Sequence, residues 1–200
     1  MNNKDVIFLL NEKEEIVLEL SNLPSNDIPC CYEAPILLLQ DGKKVVLSTD
    51  DVLGNMLALR HLLTKTLSNE LQLDQSIVFD IGYVYNEYCN VLYKRNASTN
   101  CKFVYKISGN SRLWIGSQYS LWAHDYMSWI YNSADGSIVL ELTPLYANGF
   151  PYKGKEATYK KWLQAYKPYL IRIIPHKIAE RWLVQANDVI KRTPYESNIK

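Results

Sequence analysis

Glu87, Glu141 and His124 are the side chains best suited by type to acid–base chemistry in this sequence. Two carboxyls facing one another across a cleft, one neutral and one ionised, are what glycoside hydrolysis requires, and an imidazole titrating near neutrality serves as a general base. Glu141 lies in the apolar run Ile138-Val139-Leu140-Glu141-Leu142-Thr143, and Glu87 lies in Tyr85-Asn86-Glu87-Tyr88. His124 precedes Asp125 between two aromatic segments. Neighbouring side chains on a strand point to opposite faces, so His124 and Asp125 do not by themselves make a pair. A small hydrolase therefore requires at least two of Glu87, Glu141 and His124 to converge. Taken singly, each carboxylate reads as an outward strand residue or as the partner of a tyrosine or arginine.

Other chemistries find less support. Cys30, Cys31, Cys89 and Cys101 show no Cys-x-x-Cys spacing, and no His-x-x-x-His or calcium-loop pattern occurs. No metal and no cofactor is expected, and the thiols are expected reduced and mostly buried, as small hydrophobes. Gly116-Ser117-Gln118 lacks the second glycine of a nucleophile elbow, and Gly149, Gly154 and Lys155 lack the strand and the following Ser/Thr of a phosphate loop.

The elements that would position these groups can be read from periodicity. Val6–Leu10 and Glu15–Leu20 predict a hairpin, and Ile36–Leu39 with Lys43–Leu47 a second, turned by Asp41-Gly42. A helix follows, capped by Ser48 or Thr49, with Val52, Met56, Leu59 and Leu63 at helical spacing. Alternation from Ile77 to Lys94 predicts one or two strands, and Phe103–Ile107 another. Tyr126–Tyr131 and Ile138–Thr143 form a hairpin whose Gly136 takes a left-handed position. Tyr159, Trp162, Leu163 and Tyr166 mark a short helix, and Ala179, Trp182, Leu183, Ala186 and Ile190 the inner face of a last one beginning near Pro175. The 200 residues thus predict a single α+β domain, with a mostly antiparallel sheet, one central helix, C-terminal helices and a frayed tail over 193–200. The aromatic block from Trp114 to Tyr152 is its expected core.

Charge is polarised along the chain. Residues 1–35 hold two Lys against seven Asp/Glu, and residues 151–200 hold eleven Lys/Arg against four. The ends are expected either to pair or to form two faces of opposite sign. The basic residues interleave with Tyr152, Tyr159, Trp162 and Tyr166, which admits a nucleic-acid-binding regulatory domain, but a pI near 7.6 is far from the balance of such domains. No apolar run reaches the roughly 18 residues of a membrane helix and no signal peptide is evident, so a cytoplasmic protein with no membrane partner is expected.

The run Trp129-Ile130-Tyr131-Asn132, Asp135-Gly136 and Glu141-Leu142-Thr143-Pro144-Leu145-Tyr146, followed by Tyr159-Lys160-Lys161-Trp162 and Tyr166-Lys167-Pro168-Tyr169-Leu170, resembles small bacterial proteins of polymorphic and contact-dependent growth inhibition toxin loci. The resemblance spans about residues 114–190 and brings no functional residues with it. It implies a non-catalytic immunity protein, or antitoxin, whose partner is a cognate toxin domain. Such a protein needs a stable scaffold and a complementary surface, and it works by stoichiometric protein–protein interaction. Glu12, Glu14, Glu15, Glu19 and Asp27 are the candidate acidic contacts. Tyr146, Phe150 and Tyr152, in a Gly/Pro loop after the sheet, are the candidate aromatic ones.

Overall fold

The computed structural model describes residues 4–23, 25–74, 77, 80–86, 104–106, 112–114, 116–146 and 156–194. It begins with an antiparallel meander of β1 (Val6–Asn11), β2 (Glu14–Leu18), β3 (Ile36–Gln40) and β4 (Lys43–Ser48). The β3–β4 turn places Asp41 at φ 48° and Gly42 at φ 75°, the two positive values a primed two-residue turn requires. Chain order then gives α1 (Val52–Leu67), a helical segment over residues 81–86 (α2), the short pair β5 (Val104–Lys106) and β6 (Arg112–Trp114), and β7 (Ser120–Ala123). β8 (Tyr126–Asn132), β9 (Ile138–Pro144), α3 (Glu156–Gln164), β10 (Leu170–Ile174) and α4 (His176–Lys191) complete it. The second four-stranded sheet has the order β10-β9-β8-β7, again antiparallel throughout. The class is α+β as expected, with the strands divided between two large sheets rather than joined in one.

α1 and α4 pack on one another, α1 also against β7 and β8, and α4 against β1. The core they share includes Phe8, Ile16, Leu18, Ile36 and Leu38 of the first sheet, Met56, Leu59 and Leu63 of α1, and Trp182 and Ala186 of α4. Trp122 and Trp129 are also buried, and burying a large apolar side chain stabilises by about 1.5–3 kcal/mol. The aromatic block is therefore core in its described middle. Among the described residues no helix is long and apolar enough to cross a membrane.

Several local expectations are corrected. α1 is capped by Asp51, whose carboxylate accepts from the Gly54 amide at 2.6 Å, while Ser48 bonds Asn55 instead. Residues 81–86 are helical, not a strand. Asp80 caps them by accepting from Tyr83 N at 2.8 Å, and Asn86 donates back to Gly82 O, so local side-chain bonds outweigh the alternation. β10 is a strand not among the expected elements, and it carries Arg172 in the middle of an apolar run. On the strand it pairs opposite Leu140, on the face opposite that of Ile171 and Ile173. Cys30 and Cys31 are exposed, contrary to the expectation of burial, because they sit in a surface loop where Cys31 has φ 59°. Cys89 and Cys101 lie outside the described residues. At the start of the expected tail, Thr193 is buried and donates to Ile190 O.

Candidate functional site

Of the three residues suited to acid–base work, only Glu141 lies inside the structure's described interior. It projects from the middle of β9, between Trp129 of β8 and Ile171 of β10, and is 1% exposed. α2 closes over it. Gly82 fits so closely that an added Cβ would lie 2.0 Å from Thr143 Oγ1 and 2.1 Å from the Tyr166 hydroxyl. The missing side chain lets the Gly82 amide donate to Glu141 Oε1 at 3.3 Å. Tyr131 donates its hydroxyl to Oε2 at 2.9 Å, and Thr143, which accepts from Trp129 Nε1 at 2.8 Å, lies 3.4 Å from Oε1. Burial, reinforced by the negative charge of Asp80, pushes the Glu141 carboxyl up to about 8. Burial likewise raises Tyr131 and Tyr166 above the ordinary phenol range.

Burial therefore favours the neutral acid of Glu141 at pH 7. A carboxyl so arranged holds α2 and the sheet together. At 1% exposure it is shielded from solvent. His124 sits elsewhere, exposed in the β7–β8 turn, with Nδ1 3.1 Å from Asp125 Oδ1. Those neighbours meet because they occupy a turn, where the alternation of a strand does not apply. Glu87 lies outside the described residues. The titratable group that does come near Glu141 is Asp80, brought there because residues 81–86 are helical and not the strand that their alternation predicts.

The acidic candidates separate. Glu14 is 6% exposed and turns inward, accepting from Arg172 Nε at 2.6 Å, Asn11 Nδ2 at 2.6 Å and Gln40 Nε2 at 2.7 Å. These donors, the Arg172 guanidinium first, hold its carboxyl below the usual range. The bond ties β2 to β10 and so joins the two sheets, pairing an acidic N-terminal residue with a basic C-terminal one. Glu12 is exposed and Glu15 half-buried, and both line a shallow hollow between the two hairpin tips with Leu9, Leu39, Asp41 and Lys13. Glu19 pairs with Lys44 at 3.8 Å. Asp27 is exposed in a different place, beside the loop that meets the end of α4 through Ile28 N and Arg192 O. Tyr146 is half-buried, 5.2 Å from both Tyr159 and Trp162 between ring centres, and so helps seat α3. Phe150 and Tyr152 lie outside the described residues.

The larger feature is the outer face of the first sheet. Register places Ile7, Val17, Leu37 and Val46 in one row across four strands, and Leu9, Glu15, Leu39 and Lys44 in the next. None of the six apolar members belongs to the core cluster. Val17 and Leu37 in the middle are buried, Leu39 and Val46 are half-buried, and Ile7 is 46% and Leu9 37% exposed at the edge. The sequence signal for this face was available: Val6–Leu10 and Ile36–Leu39 are unbroken apolar runs, which make both faces of a strand apolar. The chain's own helices cover the other face. Among the described residues no three His, Cys, Asp or Glu side chains are grouped to hold a metal ion. No protein-family model, curated protein or solved structure matches the chain.

Proposed function

We propose that this chain is a non-catalytic immunity protein, which binds a cognate toxin domain one to one and neutralises it by covering part of its surface. The observation that carries the reading is the apolar outer face of the first sheet. Six aliphatic side chains lie there in two cross-strand rows, with Val17 and Leu37 buried, Leu39 and Val46 half-buried, and Ile7 and Leu9 open at the β1 edge. An apolar surface of this kind, rimmed by charge, is the usual chemistry of a protein–protein contact. The Glu141 site favours binding over hydrolysis, since its carboxyl is buried and accepts from Tyr131 and Gly82.

The scaffold suits the role. The Glu14–Arg172 bond and the α1–α4 packing fix the two sheets, so the outer face is presented on rigid strands and little ordering is lost on binding. The natural partner to test is the protein encoded immediately upstream, and the compartment expected for neutralisation is the cytoplasm. Cells expressing that protein's C-terminal domain should stop growing and should recover when this chain is co-expressed. Growth arrest that persists with both proteins present at equal level would overturn the proposal.

A further inference from the structure

Cys30 and Cys31 are adjacent and exposed, and they belong neither to the core nor to the outer face of the first sheet. They occupy the two central positions of a turn closed by the Tyr32 amide, which donates to Pro29 O at 3.3 Å. Cys31 holds φ 59°, a left-handed backbone that a side chain adopts at a cost. The turn is held from both sides. Ahead of it, buried Ile28 donates its amide to Arg192 O at 2.8 Å, and Arg192 Nε donates to Asn26 O at 2.9 Å, so the loop grips the end of α4. Behind it, Tyr32 O accepts from Val52 N, the first amide of α1, at 2.8 Å, and Glu33 bridges to Asp51, the α1 cap. The thiol pair therefore sits in the short span that links the end of one core helix to the start of the other.

Among the described residues no third metal-binding side chain is grouped with the pair. The chemistry that two adjacent thiols complete by themselves is a bond to each other. Their peptide bond is trans, which sets the two Cα atoms about 3.8 Å apart, short of the roughly 4.4–6.8 Å of an ordinary disulfide. The bond therefore forms with strain, and a strained, exposed disulfide is readily reduced. We propose that Cys30 and Cys31 are a reversible redox switch, which closes to a disulfide when small-molecule disulfides such as that of glutathione accumulate, and so slackens the turn that holds the start of α1. One cysteine thiolate attacks a sulfur of glutathione disulfide, forming a mixed disulfide and releasing one glutathione thiolate. The neighbouring thiolate then attacks the cysteine sulfur of that mixed disulfide and releases the second. Two protein thiols are oxidised, one glutathione disulfide is reduced to two glutathiones, and the two cysteine protons end on the released thiols. The strain falls first on the Pro29–Tyr32 bond, the longest of the contacts around the loop, and passes from there to Tyr32 O and Val52 N. This inference is independent of the binding reading above.

The test is incubation of the full chain with mixtures of glutathione and glutathione disulfide, followed by alkylation of free thiols, tryptic mass mapping and amide hydrogen exchange read by NMR. Cys30 and Cys31 fall together on the tryptic peptide from Glu14 to Lys43, which holds no other cysteine. Where the disulfide predominates, that peptide should escape alkylation and be lighter by two hydrogens than its reduced form. The Val52 amide should then exchange about ten-fold faster, and excess glutathione should reverse both changes. Cys30→Ser and Cys31→Ser are surface changes, and melting curves check that each variant remains folded. Each should carry one glutathione on its remaining cysteine and keep the slow Val52 exchange. A peptide that stays reduced in every mixture would overturn the inference. So would glutathione adducts alone on the wild type, or a bond from Cys30 or Cys31 to the peptides of Cys89 or Cys101. An internal bond that survives excess glutathione, or that leaves Val52 exchange unchanged, would overturn it too, as would faster Val52 exchange in the glutathione-carrying serine variants.

Discussion

Replacing Glu141 by glutamine should stabilise the protein at neutral pH and leave it unchanged in acid. The folded carboxyl is raised from 4.5 to about 8 by burial and by Asp80. A carboxyl with a raised folded value stabilises fully below its unfolded value, and that stability is lost as pH rises to the folded one. Between 4.5 and about 8 the folded state binds a proton that the unfolded chain has released. At pH 7 the interval of 2.5 units at 1.36 kcal/mol each costs about 3 kcal/mol, rising to about 5 kcal/mol above pH 8. Glutamine escapes this cost. Its carbonyl can still accept from Tyr131 or Gly82, and its amide carries no charge at any pH. Urea unfolding at pH 4.5, 6, 7 and 8 should show the two proteins equal at the first pH and separating by roughly 1.4 kcal/mol per unit thereafter. A gap that does not change with pH, or a variant destabilised equally everywhere, would refute the assignment of a neutral Glu141.

Gly82→Ala should destabilise by about 2–4 kcal/mol in urea unfolding, because the new methyl meets Thr143 and Tyr166 at van der Waals overlap; a change under 0.5 kcal/mol would mean that α2 does not lie against the sheet. Arg172→Met should cost about 2–4 kcal/mol by leaving Glu14 buried with only Asn11 and Gln40, and adding Glu14→Gln should recover most of it, a coupling that a double-mutant cycle reads directly. Cys30 and Cys31 should react with a thiol reagent in the native protein within minutes, and protection of both until unfolding would contradict their exposure.

The two hairpins, α1, the β8–β9 pair and α4 were legible because each carries its own local signal. Asp41-Gly42 and Gly136 set the turns, and helical spacing marked the apolar stripe of α4. What stayed hidden depended on contacts far apart in sequence. Residues 81–86 satisfy both a two-residue and a helical period, since Ile81, Val84 and Tyr85 share one helical face, and the choice is made by the Asp80 cap and by Glu141, some 60 residues away. β10 carries a charge, Arg172, whose partner, Glu14, lies at the other end of the chain, so its place inside the fold has no local signal. The same distance explains the acidic candidates. Glu14 and Glu15 are adjacent in sequence and opposite in role, one clamped inside and one on the open face. Glu15 and Glu19 share that face with an apolar pattern whose unbroken runs are visible in Val6–Leu10 and Ile36–Leu39, while Glu12 sits in the β1–β2 turn.

The central claim, stoichiometric neutralisation without catalysis, is tested most directly by titrating this chain against the upstream protein's C-terminal domain while following that domain's toxic activity. The account predicts a linear fall to zero at one molar equivalent, with a one-to-one complex on gel filtration. Undiminished activity at tenfold excess of this chain would contradict it, and so would complete loss at a small fraction of an equivalent, which is the behaviour of an enzyme acting on its target.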